Sequence, residues 1–268
     1  MLWPRAHDRR IFTAVLLGLV ALAWVALFVW QQSPYGRFLD HEELADIEIG
    51  LGGGALGFAA LFVSGWTLMT FAMMLPTSLP LIQMFQRMTR ARENRLQLTA
   101  LLIAGYLAVW AGFGVVAHLG DWMLHQVVVE RLAWLDDRAW IIGAVTLIGA
   151  GVYQFTPLKY HCLDKCRSPF SFITEHWRGD RERLQSFVLG AHHGVFCVGC
   201  CWSLMVLMFA VGVGNVGWML ALGALMAVEK NMSWGRRISV PLGVGLITAG
   251  IGVIVFAGGE ACAAHLGC

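Results

Sequence analysis

The chain has 268 residues, of which 58% are hydrophobic and only 13% are charged, and its mean hydropathy is +0.66. Soluble domains are about 45–50% apolar and about 25% charged, so this composition excludes a soluble enzyme, a disordered protein and a nucleic-acid-binding protein. The net charge of +2 is uninformative until it is divided among the loops. The seven cysteines do not indicate a secreted disulfide scaffold, because the chain is too long and too apolar for one. We expect a single integral membrane domain over residues 1–268.

Apolar segments long enough to cross a membrane follow one another along the chain. The hydrocarbon core of a bilayer is about 30 Å thick, and crossing it takes about 20 apolar residues per helix. We place seven transmembrane helices at residues 11–30, 57–83, 98–120, 139–160, 185–211, 217–228 and 239–258. The sixth is short, so it is expected to begin near Gly212 or to be tilted. The predicted fold class is all-α, a polytopic transmembrane helical bundle.

The distribution of basic residues predicts which side of the membrane each loop faces. With seven helices, every lysine and arginine except Arg37, Arg131 and Arg138 lies on the side that carries the N-terminus. Lysine and arginine accumulate on the cytoplasmic side of membrane proteins. The sequence therefore predicts a multi-pass protein of the bacterial inner membrane, with a cytoplasmic N-terminus and a periplasmic C-terminus.

Two pairs of short segments resemble each other and suggest an internal duplication. Residues 66–69 (WTLM) resemble residues 202–205 (WSLM), and residues 147–151 (LIGAG) resemble residues 246–250 (LITAG). Residues 57–160 and 185–258 would then be inverted three-helix repeats, and transporters built in this way bind their cargo at the midplane between the repeats. Matches this short also arise by chance among apolar helices, so the duplication stays one of two interpretations.

The fifth predicted helix carries the largest set of metal-binding side chains. At about 100° per residue, one face of the helix presents His193, Cys197, Cys200, Cys201, Met205 and Met208, whereas His192 points elsewhere. Thiolates and thioethers favour Cu(I), and thiolates with imidazoles also suit zinc and iron–sulfur clusters. We expect copper first, with zinc or iron as alternatives. Cysteine and methionine also pack as ordinary apolar residues, which is the competing interpretation.

Further candidate ligands lie on the second and fourth predicted helices. Met69 and Met73 are candidate thioether ligands, and they precede a helix break framed by Pro76 and Pro80. A proline inside a span frees backbone carbonyls, which need other partners or line a cavity. Three more candidate metal ligands lie where the fourth helix leaves the membrane on the cytoplasmic side, namely His161, Cys162 and Cys166. A packed turn is the alternative for this second group.

Two candidate sites near helix ends each allow more than one interpretation. Glu229, at the cytoplasmic end of the sixth helix, is a candidate ligand, because intramembrane carboxylates often serve function. It could equally pair with Lys230 or with an arginine. At the C-terminus, the segment that includes Cys262, His265 and Cys268 could hold a metal, form a disulfide between its two cysteines, or fray.

Several of these segments resemble a bacterial family of predicted metal-binding integral membrane proteins. The most specific match is the Gly-Cys-Cys-Trp-x-Leu-Met motif of residues 199–205, followed by Glu229 and Lys230. Trp66 and Met69 with residues 72–76, and residues 153–169 with their two cysteines, carry the rest of the resemblance. The resemblance covers the second to the sixth helix and implies metal binding, but no reaction.

These features predict a protein that handles a soft metal, Cu(I) first and zinc second, as a carrier or a metal-insertion factor. One alternative is a membrane thiol–disulfide oxidoreductase that uses Cys197 and Cys200, which have the spacing of a redox motif. A second alternative is a non-catalytic accessory subunit of a membrane complex. The expected partners are the metal ion and the lipid bilayer, with other membrane subunits or a metal chaperone as further candidates, and no nucleic acid. No phosphate-binding Gly-x-x-x-x-Gly-Lys-Ser/Thr loop occurs, so ATP-driven pumping by this chain is excluded.

Overall fold

The computed structural model describes residues 4–32, 53–124, 138, 140–179, 181–211 and 216–266. Within these residues there are α-helices and two short 3-10 helices but no β-strand, which confirms the predicted all-α class. The α-helices are α1 (Pro4–Gln32), α2 (Gly53–Met74), α3 (Leu79–Met88), α4 (Arg95–Met123), α5 (Trp140–Tyr153), α6 (Pro157–Arg167), α7 (Pro169–His176), α8 (Glu182–Val211), α9 (Val216–Asn231) and α10 (Ser239–Leu266). The 3-10 helices are Pro76–Ser78 and Gly235–Ile238.

Four stretches of the described helices are long and apolar enough to cross a membrane on their own: Phe12–Val29, Arg95–Met123, Glu182–Met208 and Gly235–Ala257. Two bent pairs, α2 with α3 and α5 with α6, meet the same requirement together, with bends of 45° and 64°. Counting each bent pair as one span gives up to six spans. Helix α9, the predicted sixth span, has only 16 residues. Seven spans and their orientation therefore stay predictions.

Helix α8 lies at the centre of the bundle and packs against α4, α5, α6 and α9. Its contact with α4 is close because glycines face the opposite backbone. A Cβ atom at Gly105 of α4 would collide with the carbonyl oxygen of Phe187, and one at Gly190 of α8 would collide with that of Leu102. Small residues allow such close approach between apolar helices. This approach brings Tyr106, next to Gly105, against Cys197.

Helix α2 breaks at Pro76, as the sequence predicts. The hydroxyl group of Thr77 donates a hydrogen bond of 2.7 Å to the carbonyl oxygen of Met74, so this freed acceptor has a partner. On the other side of α8, Pro157 opens α6, and the side chain of Thr156 accepts a hydrogen bond from the amide of Lys159. The two breaks place Met74 and the cysteines of α6 beside the middle of α8.

Two predicted features are not tested by the structure. The side chains of the C-terminal segment, including Cys262, His265 and Cys268, are outside the described residues. The division into residues 57–160 and 185–258 as inverted repeats stays a prediction.

Candidate metal centre

Cysteines of α6 and α8 meet one methionine of α2 in the interior of the bundle. All five of these cysteines are free thiols. The Sγ atoms of Cys166 and Cys200 are 4.0 Å apart, and the Sγ atom of Cys201 is 3.9 Å from the Sδ atom of Met74. We call the following six residues the sulfur cluster: Met74, Cys162, Cys166, Cys197, Cys200 and Cys201. It joins segments that are distant in the sequence, which the α8 motif alone does not reveal.

The α8 side of the sulfur cluster follows the predicted helical face. The thiols of Cys200 and Cys201 donate to the carbonyl oxygen of Cys197, at 3.1 and 2.9 Å, so the three cysteines share one turn. His193, Met205 and Met208 are also buried on this helix, whereas His192 is exposed. We include Cys162 in the sulfur cluster because its sulfur lies against the α8 backbone at Gly199, next to Cys200. A Cβ atom at Gly199 would be only 2.6 Å from the Cys162 sulfur.

Lys230, the penultimate residue of α9, points its ammonium group into the sulfur cluster. Its Nζ atom is 2.9 Å from the Sγ atom of Cys197, and 3.7 Å from both the Sγ atom of Cys201 and the Sδ atom of Met74. The hydroxyl group of Thr77 is 3.5 Å away. Lys230 is only 6% exposed, and a buried charge is costly unless it is paired. Across the described part of the chain no carboxylate forms a salt bridge with it, so the Cys197 sulfur is the nearest group that can balance its charge.

Polar and aromatic groups cover one side of the sulfur cluster. The hydroxyl group of Tyr106 lies 3.1 Å from the Cys197 sulfur, and the Tyr106 ring stacks on His193 with centroids 5.7 Å apart. The Nε2 atom of His193 lies 3.3 Å from the hydroxyl group of Ser78. Its Nδ1 atom is buried and has no hydrogen-bond partner within the described residues. Phe172 of α7 packs edge-on against the His193 ring at 5.5 Å. The His193 imidazole is therefore a candidate metal ligand beside the sulfur cluster.

Glu229 lies next to Lys230 in the sequence but has a different set of partners. Its carboxylate forms a buried salt bridge of 2.8 Å with Lys159 and accepts a hydrogen bond of 2.7 Å from Ser239. Lys159 also donates to Gln154, and Arg167 donates to the backbone carbonyl of Glu229. This pairing fits the structural alternative for Glu229, with Lys159 as the partner in place of Lys230.

The surface of α6 carries the remaining predicted ligand of this segment. His161 is exposed, and its ring centroid is 6.1 Å from that of Phe196. On the same helix, Lys165 binds Glu175 of α7 at 2.7 Å. This hydrogen bond and the lysine charge lower the pKa of the exposed Glu175 carboxyl. The pair links α6 to α7 at the surface and does not contact the cluster.

The other predicted thioether ligands lie in the apolar core. Met69, Met205 and Met208 are each no more than 1% exposed, and Met73 packs against α9, with its Cε atom 3.4 Å from where a Cβ atom of Gly223 would be. Our interpretation of the sequence missed Lys230, Met74 and Tyr106 as parts of the site. A lysine in an apolar helix was the available signal for Lys230, and a phenol in mid-helix was the signal for Tyr106. Nothing in the local pattern distinguishes Met74 from Met73.

The sulfur cluster does not have the arrangement of a formed metal site. Over the described ranges, no group of three or more histidine, cysteine, aspartate and glutamate side chains is arranged to hold a metal ion. Two sulfur pairs nevertheless lie within 4.0 Å, and the Lys230 ammonium stands among three of the sulfurs. Soft donors concentrated in this way suit a soft, monovalent cation.

Comparison with known proteins matches the chain to a family model. The model of a family named PpoB2 and described as a copper chaperone matches residues 63–253, a range that contains the whole sulfur cluster and Lys230. No curated protein matches the chain, and no solved structure does.

Proposed function

The chain belongs to this copper chaperone family, and we propose that it carries Cu(I) in the sulfur cluster and hands it to an acceptor protein. The observation that supports this proposal is the meeting of α2, α6 and α8 at Met74, Cys166 and the three cysteines of α8. Thiols and thioethers are the ligands that favour Cu(I) over harder ions. Five unpaired thiols also fit a carrier better than a disulfide-stabilised scaffold.

We propose the bacterial inner membrane as the location, with copper held in the middle of the bundle. Helix α8 runs from Glu182 to Val211, and Cys197 lies at its midpoint. The exposed apolar side chains of α1 and α10, such as Leu22 and Phe256, suit a lipid environment. The proposed orientation keeps the N-terminus in the cytoplasm, following the distribution of basic residues.

Two adjacent groups of sulfurs support a transfer in two steps. The inner group is Cys197 and Cys201 with Met74, and the outer group is Cys166 and Cys200, with Cys162 beside them. A carrier must bind its cargo weakly enough at each site to release it. In our proposal Cu(I) moves between the two groups by exchanging one sulfur ligand at a time, and the acceptor takes it from the outer group.

The experiment that tests this function measures copper bound to the purified protein. The wild type and the Cys197→Ser/Cys201→Ser double variant are extracted from membranes in detergent under anaerobic, reducing conditions and loaded with Cu(I)–glutathione. Inductively coupled plasma mass spectrometry then gives the copper per chain. Met208→Leu is the matched control, because it removes a buried sulfur on the same helix outside the cluster.

We expect near-stoichiometric copper in the wild type and in Met208→Leu, and a large loss in the double variant. Absence of copper from the loaded wild type would refute the proposal, as would equal copper in the double variant. Zinc or iron in its place would retain the site but change the cargo.

A thiol–disulfide oxidoreductase is the second candidate, and one distance favours it. The Cys166 and Cys200 sulfurs are close enough that a modest movement would bring them into disulfide contact. The redox pair would then be Cys166 and Cys200, and the predicted pair of Cys197 and Cys200 stays an alternative. This function requires the pair to cycle between thiol and disulfide in the cell, which alkylation followed by mass spectrometry measures.

A further inference from the structure

We infer that the Lys230 ammonium group is the resident cation of the sulfur cluster and that Cu(I) replaces it. When the metal binds, the ammonium group leaves its place among the sulfurs of Cys197, Cys201 and Met74. This inference deepens the proposed function and rests on it. It assigns to Lys230 a part in selecting a monovalent ion, a part that neither the sequence motif nor the family description gives it.

The position of the ammonium group is the first argument. Its nitrogen lies 2.9 Å from one sulfur and 3.7 Å from two others, so it occupies the space between the donors that a metal ion would need. A protonated lysine has three N–H donors and no lone pair, so it cannot itself bind a metal. Copper and the ammonium group therefore exclude each other from this space, by volume and by charge.

Charge balance is the second argument. Within the described residues the buried ammonium group has the Cys197 thiolate as its nearest possible counterion and no carboxylate in salt-bridge contact. Replacement of the ammonium by Cu(I) exchanges one monovalent cation for another. The new bonds join copper to the Cys197 thiolate and to the neutral thioether of Met74, while the neighbouring Cys201 thiol keeps its proton, and no electron is transferred. A divalent ion would leave the cluster with an extra positive charge, which is costly in a buried site.

The lysine has a short path out of the cluster. Lys230 is one residue from the end of α9, and the residues that follow it, Asn231, Met232 and Ser233, are exposed. Lysine side chains commonly extend along an apolar surface to place the ammonium group in water. The exchange therefore needs a rotation of one side chain and no rearrangement of the helices.

The composition of the chain provides a direct test, because it has only three lysines. Lys159 is fully buried against Glu229, and the Lys165 side chain is 31% exposed. The purified wild type is treated with an N-hydroxysuccinimide acetate ester, before and after loading with Cu(I)–glutathione. Mass spectrometry measures acetylation of each lysine, and the copper content of the same samples is measured in parallel.

In the copper-free protein, we expect Lys230 to be protected like Lys159. After loading, Lys230 should lose its protection and approach the reactivity of Lys165, while Lys159 stays protected as the control for unfolding. The Cys197→Ser/Cys201→Ser variant should show no copper-dependent change at Lys230. Bound copper with Lys230 still protected would overturn the inference and leave the proposed function standing. Absence of bound copper would overturn both.

Discussion

The sulfur of Cys166, on α6, lies 4.0 Å from the sulfur of Cys200, on α8, although 34 residues separate them in the sequence. The bend of α6 at Pro157 and the absence of a side chain at Gly199 bring the two helices together. This contact joins the two thiols of the outer group, one from each helix, and it places the α6 thiol beside the turn of α8 that begins at Cys197.

Cys166→Ser should slow the release of bound Cu(I) to a competing chelator. It removes one thiol of the outer group and leaves Cys197, Cys201 and Met74 in place. If the lost ligand raises the barrier by about 1.4 kcal/mol, release slows about tenfold. Stopped-flow measurement with a coloured Cu(I) chelator gives this rate. His161→Ala, an exposed change on the same helix, is the control and should leave it unchanged. A release rate equal to that of the wild type would contradict the two-step transfer.

Met74→Leu should weaken Cu(I) binding, whereas Met69→Leu should not. Both residues are buried on α2, but only the Met74 sulfur contacts Cys201 and Lys230 among the residues described. Leucine conserves most of the volume, so the pair isolates the thioether. We expect about a tenfold loss of affinity for Met74→Leu, which corresponds to about 1.4 kcal/mol. Competition titration against a chelator of known affinity measures the Cu(I) affinity of each variant. Equal affinities in the two variants would exclude Met74 as a ligand.

The sequence predicted the helices and the five cysteines that the structure brings together, but not Met74, Lys230 or Tyr106. Apolar runs predicted the helices, and the α8 face was predictable because helical spacing relates Cys197, Cys200 and Cys201 directly. The prolines predicted the break in α2. These features depend on neighbours within one or two turns, which a single sequence contains.

The remaining parts of the site depend on contacts between distant segments. One sequence-based alternative pairs Glu229 with its neighbour Lys230, but successive residues on a helix point about 100° apart. Glu229 therefore meets Lys159, while Lys230 meets the sulfurs. Likewise, Met73 and Met74 are adjacent residues of the same type. Only the packing of α2 against α8 and α9 determines that the Met74 sulfur, and not that of Met73, contacts Cys201.

Gly199→Ala should disturb the outer group. A Cβ atom there would lie 2.6 Å from the Cys162 sulfur, so the Cys162 thiol must rotate or α6 must move away from α8. Overpacking of this kind costs about 1–3 kcal/mol. The control is Gly149→Ala on α5, where a Cβ atom meets nothing within 4 Å. We expect Gly199→Ala to lower the apparent melting temperature and to lose bound copper faster than the wild type under anaerobic conditions, whereas Gly149→Ala should do neither. Unchanged melting and copper retention would show that the α6–α8 contact is not as close as described here.

Glu229→Gln should strongly destabilise the protein without removing a metal ligand. Lys159 and Glu229 are 0% and 2% exposed, and loss of one partner from a buried pair costs about 3–5 kcal/mol because the other charge stays uncompensated. Lys159→Met/Glu229→Leu removes both charges and should recover much of this stability. Thermal unfolding in detergent measures the change. If the double variant folds but binds no copper, Glu229 belongs to the metal site and our assignment is wrong.

The most direct test of the account is X-ray absorption spectroscopy at the copper edge on the loaded wild type. The edge reports the oxidation state, and the extended fine structure reports the atoms bound to the metal. We predict Cu(I) with a first shell of at least two sulfur atoms, which Cys197→Ser/Cys201→Ser abolishes. Copper surrounded only by nitrogen and oxygen would contradict the assignment of the sulfur cluster as the copper site.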